Sequence, residues 1–142
     1  MIHIESSVHG VGAAFGEWNP SNECFRFEMT SPAFTVAEDI SVPGPDGGPG
    51  DFFRALADAT IPWGIPLEWS SYSATKRFLV MRAECDAVGH VTVEFELNYM
   101  LSRGEVIWRV SAKYKTEIGL LQERFLPLAE EFGRTGPLDW KS

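Results

Sequence analysis

Between Arg77 and Tyr114, apolar and polar residues alternate with a period of two. Val91, Val93, Phe95, Leu97 and Tyr99 alternate with Thr92, Glu94, Glu96 and Asn98, and Val106, Trp108, Val110, Ala112 and Tyr114 alternate with Ile107, Arg109, Ser111 and Lys113. A strand turns successive side chains to opposite faces, so each run predicts a strand with one buried and one wet face. Ser102-Arg103-Gly104 punctuates the join. Opposing Leu101 to Gly104 brings Leu97 to Trp108, Phe95 to Val110 and Val91 to Tyr114 on the apolar face. On the polar face it brings Glu96 to Arg109 and Thr92 to Lys113. Such cross-strand pairs contribute about 0.2–1 kcal/mol each. This register assigns Trp108 to the core. The preceding run, Arg77–Cys85, joins through Asp86-Ala87-Val88-Gly89-His90. A loop of Ala87, Val88 and Gly89, with glycine at its left-handed position, opposes Asp86 to His90. Cys85 then pairs with Val91, Ala83 with Val93, Met81 with Phe95 and Leu79 with Leu97.

The first forty residues also read as strands. Phe25, Phe27 and Met29 alternate with Cys24, Arg26 and Glu28, and Phe34 and Val36 follow the breaker Ser31-Pro32. Residues 2–8 and 11–18 suggest an earlier hairpin about His9-Gly10, and residues 67–72 a further strand. The period changes twice. Phe52, Phe53, Leu56 and Ala57 form the apolar side of a short helix near 51–59, with Asp51 placed to cap it and Pro62 beyond its end. Leu121, Phe125, Leu128 and Phe132 share one face of an amphipathic helix near 119–132, which Gly133 and Gly136-Pro137 end. Pro127 inside that helix removes a hydrogen bond at a cost of about 3 kcal/mol, or kinks it. Residues 42–50, VPGPDGGPG, form a flexible surface loop that sustains neither helix nor interior strand. The expectation is an α+β fold in one domain over residues 1–142: a largely antiparallel curved sheet, with a meander at 77–115, carrying a short helix and a C-terminal helix.

Composition narrows the function. With 142 residues, 44% apolar and 23% charged, the chain is an ordinary globular one. Its net charge of −8 disfavours a nucleic-acid binder, because phosphate affinity comes from clustered Lys and Arg. No apolar run approaches the roughly 18 residues of a membrane span. The start, Met1-Ile2-His3-Ile4-Glu5, lacks the basic and apolar stretches of a signal peptide. Cys24 and Cys85 lack metal or redox spacing and read as buried free thiols, with a cross-strand bridge as the alternative, and a reducing cytoplasm is expected. His3, His9 and His90 find no local third ligand, and no nucleophile context accompanies His90. Glu94 and Glu96, two apart on one strand face, read as a solvated charge ladder rather than an acid–base pair. No phosphate loop, nucleophile elbow or dinucleotide fingerprint is present. The expectation is therefore no catalytic residue, cofactor or metal. Trp63, bracketed in Ile61-Pro62-Trp63-Gly64-Ile65-Pro66, reads either as a ring packed over a sheet edge or as an exposed anchor for a partner.

The pattern Asp51-Phe52-Phe53-Arg54-Ala55-Leu56, Trp63, Trp69-Ser70-Ser71, Asp86-Ala87-Val88-Gly89-His90-Val91, Trp108 and Leu120-Leu121 resembles a small group of proteins. They are the domain-of-unknown-function proteins associated with the WapI-type immunity proteins of bacterial polymorphic toxin systems. The resemblance covers roughly 51–132. It implies a non-enzymatic cytoplasmic immunity protein that binds and neutralises a cognate toxin, and it brings no catalytic residues with it. The negative charge suits a basic toxin. Candidate contacts are Asp46 in the Gly/Pro loop, Trp63, Glu94 and Glu96. The alternative expectation is a small apolar ligand held between the curved sheet and the C-terminal helix, in a cavity lined by Phe95, Trp108, Tyr114 and Phe125.

Overall fold

In a computed structural model, which describes residues 1–5, 10–19, 21–42, 44, 47–71, 77–101 and 104–133, the alternating runs become two antiparallel sheets. The first contains β1 (Ile2–Glu5), β2 (Gly12–Phe15), β3 (Cys24–Thr30) and β4 (Thr35–Ser41). The second contains β5 (Leu67–Ser70), β6 (Arg77–Cys85), β7 (His90–Met100) and β8 (Val106–Glu117). Each sheet keeps its strands in chain order, so both are simple meanders. Helix α1 (Gly50–Asp58) lies between the sheets in sequence, and α2 (Leu121–Phe132) follows a 3-10 turn at Ile118–Leu120. The chain is α+β with both helices in their expected places, and the first forty residues make a sheet of their own.

The β6–β7 register is the expected one: Cys85 faces Val91, Ala83 Val93, Met81 Phe95 and Leu79 Leu97. Gly89 has φ 94°, and the Asp86 amide donates to the His90 carbonyl at 3.0 Å, which closes the hairpin as its loop length requires. The β7–β8 register differs from the expected one by two residues. Leu101 faces Glu105 rather than Gly104, because the Leu101 amide donates to the Glu105 carbonyl at 2.8 Å and Gly104 takes φ 83°. A bulge then follows, with Met100 facing Val106 and Tyr99 facing Trp108, so that Ile107 is the extra residue. Each one-residue slip alone would turn every side chain over; together they restore the faces. Leu97 faces Val110, Phe95 Ala112 and Val93 Tyr114, apolar on apolar as before.

Trp108 is displaced by that shift. It stands opposite Tyr99, beyond the core, 36% exposed, with the two rings stacked 5.8 Å apart at 10°. Its assignment to the core is therefore corrected, since alternation determines the face of the sheet and not how far along the strand the covering layer reaches.

One core joins both sheets to both helices. Phe15 of β2 lies within 5.2–6.2 Å, ring to ring, of Phe25 and Phe27 in β3, Phe53 in α1 and Phe95 in β7, and 6.1 Å from Phe132 in α2. Helix α1 buries Phe52, Phe53, Leu56 and Ala57, the face its spacing predicts. Asp51 does not cap it. The helix begins one residue earlier, with Pro49 as its cap and no side-chain bond there, and Asp51 sits in the first turn, where a carboxylate favours the helix dipole. Helix α2 continues through Pro127, whose ring is exposed. Burying Leu121, Phe125, Leu128 and Phe132 at about 1.5–3 kcal/mol each outweighs the missing bond. In the Gly/Pro loop, the described residues are pinned: the Trp69 indole donates to the Gly47 carbonyl at 3.2 Å, and a Cβ on Gly48 would stand 3.0 Å from the Trp18 ring.

Candidate functional site

The outer face of the second sheet carries the charges that alternation assigns to it. Glu94 stands between Arg82 of β6 and Lys113 of β8. Glu96 places Oε1 3.2 Å from Arg109 Nε and accepts from Asn98 Nδ2 at 3.2 Å, while the same Arg109 Nε donates to Asn98 Oδ1 at 2.8 Å. Glu96 directly faces Ser111, so its expected partner Arg109 reaches it diagonally. Arg82 lies 3.7 Å from Glu68 and 3.4 Å from Glu84, and Lys115 donates to Thr92 Oγ1 at 2.8 Å. Exposed pairs of this kind are worth about 0–1 kcal/mol each. Their cations answer the carboxylates across the strands, leaving a shallow dimple of about 150 Å³ among Arg82, Glu84, Thr92, Glu94 and Lys113. This is a compensated ladder.

Trp63 is elsewhere. It is half-buried against the core, and its indole donates to the Ala83 carbonyl at 3.3 Å, so the ring packs at the margin of the sheet. Glu94 and Glu96 therefore share a face, while Trp63 lies toward the opposite one. Asp46 falls outside the described residues.

His90 forms the shoulder of the β6–β7 turn. Its Nδ1 lies 3.0 Å from Asp86 Oδ2, and Asp86 Oδ1 accepts the amides of Val88 and His90 at 2.9 Å each. The His90 amide, more than the opposing effect of desolvation, holds the Asp86 carboxyl below the usual carboxylate range; the Val88 amide and the His90 ring add to it. A carboxyl with a lowered folded-state pKa stabilises the fold above its unfolded value of 3.8, and that contribution disappears as pH falls through the lower folded value. The Asp86 carboxyl resonance is thus expected to titrate below 3.8, and the stability advantage of the native chain over Asp86→Asn to shrink on acidification below that pH. An Asp86 midpoint at or above the ordinary value would contradict the turn geometry.

His3 lies exposed on β1, and His9 is outside the described residues. Among the described residues no group of three or more His, Cys, Asp or Glu is placed to hold a metal ion. Cys24 and Cys85 are free and half-buried, on different sheets. The four rings expected to line a ligand cavity differ in burial. Phe95, Tyr114 and Phe125 are fully buried, Tyr114 meets Phe125 edge-on at 6.1 Å, and Trp108 lies out in its stack with Tyr99. The Tyr114 hydroxyl accepts from Arg124 Nη1 at 2.9 Å, and the same guanidinium donates to the Glu5 carbonyl, tying β8, α2 and β1 together. Burial pushes the Tyr114 phenol up, against the pull of Arg124.

A feature unassigned by sequence lies at the end of the molecule bearing the β6–β7 turn. A cleft of about 480 Å³ opens between residues 57–60, at the end of α1, and Ile118, Gly119 and Gln122. The most exposed large aliphatic side chains among the described residues are Ile61 at 73%, Ile65 at 82% and Val88 at 80%. The legible signal was the proline-bracketed segment, in which Trp63 drew attention; the ring is tethered inward and the isoleucines beside it point outward.

The architecture is that of an α+β protein in which two antiparallel meanders and a helix pair share one core. The chain belongs to the DUF6228 family, a family of unknown function, whose family model matches residues 13–133, from β2 through the end of α2. No curated protein and no solved structure matches the chain. No described helix is long and apolar enough to cross a membrane.

Proposed function

We propose that this chain works by binding another protein, as a cytoplasmic immunity-type inhibitor that occupies and silences a basic bacterial toxin. One observation carries the reading: an acidic chain, with net charge −8, holds Ile61, Ile65 and Val88 out in solvent on ordered backbone. Exposed aliphatics on a well-packed fold supply apolar anchors, and surplus negative charge speeds encounter with a basic partner and disfavours others. The accessible surface of 7990 Å² leaves ample room, since a standard interface takes about 800 Å² from each partner. The resemblance to toxin-system proteins supplies the biological setting. In that setting the contacts singled out by sequence, Asp46, Trp63, Glu94 and Glu96, are candidates to be tested individually.

The test is co-expression with the effector encoded beside the gene. Growth of cells producing that toxin is expected to be restored by this chain, and the purified pair is expected to bind progressively more weakly as salt screens the attraction. An effector that kills equally well in the presence of the chain, with no complex at low salt, overturns the reading.

A further inference from the structure

We infer that the partner docks on the end of the molecule formed by the loop at residues 60–66, the β6–β7 turn and the entry to α2, which carries the 480 Å³ cleft, exposed aliphatic side chains and the carboxylates of Asp58, Asp86 and Glu117, and that the occupant is a basic protein segment carrying an apolar side chain into that cleft. This inference rests on the toxin-binding reading and specifies its surface.

Three contacts make the patch continuous. Thr60 lines the cleft, and Ile61 follows it directly. Ile118, on the opposite wall, donates its amide to the Gly89 carbonyl at 2.9 Å, and a Cβ on Gly89 would stand 3.0 Å from Ile118 Cγ2, so the turn bearing Val88 abuts that wall. The bond from Trp63 to the Ala83 carbonyl, and the pairing of Leu67 with Ala83, hold the loop bearing Ile61 and Ile65 at the same end of β6.

Rigidity matters as much as exposure. Pro62 and Pro66 restrict the loop and the Trp63 indole anchors it, while the β6–β7 turn is closed by the bonds to Asp86. Apolar anchors held in place lose little conformational freedom on binding. The charges select the partner. Asp58 lines the cleft, Asp86 and Glu117 flank the turn, and α1 has no basic residue in its last turn to oppose the negative end of its dipole. Arg54, 4.0 Å from Asp58 along α1, His90 beside Asp86, and Lys115, two residues before Glu117 on β8, are cationic groups near these carboxylates. Lys or Arg around an inserted aliphatic or aromatic side chain is the complementary chemistry.

The experiment titrates the purified neighbouring toxin with the native chain, with the triple variant Ile61→Ser, Ile65→Ser, Val88→Ser, and with Glu94→Gln, Glu96→Gln, while sedimentation follows each chain alone. The triple variant touches only exposed side chains, so its thermal midpoint should match the native one, which separates lost docking from lost folding. The expected result is binding at least ~100-fold weaker for the triple variant and no rescue of toxin-producing cells, because truncating central anchors removes most of the affinity. If the native chain and the triple variant bind equally, this docking surface is wrong while the toxin-binding reading stands. If weakening is confined to the Glu94/Glu96 variant, the partner sits on the outer sheet face and the inference is overturned. A concentration-dependent dimer that the triple variant abolishes assigns the patch to a second copy of this chain and also overturns it. If the native chain itself binds no toxin, the reading falls and the docking surface with it.

Discussion

Phe15→Ala is expected to cost about 3–5 kcal/mol, the range for truncating a buried aromatic ring without collapse of the space it leaves. Against a total stability of about 5–15 kcal/mol, the variant is near the limit of folding at all. The reason is position. Phe15 meets Phe25 and Phe27 from its own sheet, Phe95 from the other, Phe53 from α1 and Phe132 from α2, so its ring is where four separately formed parts become one core. A neighbour from one part cannot fill the gap without withdrawing from another. Its strand does not help: β2 carries Gly12, Ala13 and Ala14 beside it, side chains too small to move into the space. Chemical denaturation with tryptophan fluorescence measures the effect, and Phe15→Leu, which keeps most of the apolar volume, should recover the larger share. A loss below about 1 kcal/mol for the alanine variant would mean that the sheets are not coupled through this ring.

Much of this framework can be read from residue order, and the parts that cannot share a cause. Period-two alternation locates β6, β7 and β8, and the glycine at position 89 identifies the turn between two of them, because only one hairpin geometry puts a left-handed residue there while setting Met81 against Phe95. The same arithmetic misplaces the next register by two, since a one-residue bulge at Ile107 leaves no mark on the polar–apolar pattern once a longer turn cancels its effect on the faces. Trp108 follows from that error. The helix faces are legible from Phe52, Phe53, Leu56 and Ala57 and from Leu121, Phe125, Leu128 and Phe132, whereas the cap is not: Asp51 is the better capping residue by type, but the chain leaves Pro49 already in position to start the helix. The candidate surface was least legible. Glu94 and Glu96 are visible as carboxylates, but their cations are distant in sequence, and the exposure of Ile61, Ile65 and Val88 depends on what the fold leaves uncovered. A sequence shows which side chains want burial and cannot show which of them go without it.

Gly50→Ala is expected to destabilise the protein even though it exchanges glycine for the best helix former within α1. A Cβ at this position would stand 2.6 Å from the Phe132 carbonyl oxygen and 3.1 Å from its carbon. The first distance is far inside ordinary contact, and the obstacle is backbone, which no rotamer change removes. The two helices must separate at this end. Phe132 would move with the backbone, and its ring is 5.0 Å from Phe25, 5.5 Å from Phe53 and 5.7 Å from Trp18, so the displacement reaches the shared core. Overpacking of this kind costs about 1–3 kcal/mol, and occasionally more. The opposing gain in helix propensity is at most about 1 kcal/mol in a helix interior and less at the first helical residue, so the clash wins. Gly50→Val, which adds branches to the same Cβ, is expected at or beyond the top of the range. Gly64 provides the contrast: a Cβ there meets nothing within 4 Å and its φ is not left-handed, so Gly64→Ala is expected to be neutral or to stabilise by about 0.4–1 kcal/mol through the unfolded chain. Denaturant midpoints for the two alanine variants should therefore move apart. A shift in the same direction for both would mean that the helices do not approach through Gly50, and the close packing of α1 on the end of α2 would have to be redrawn.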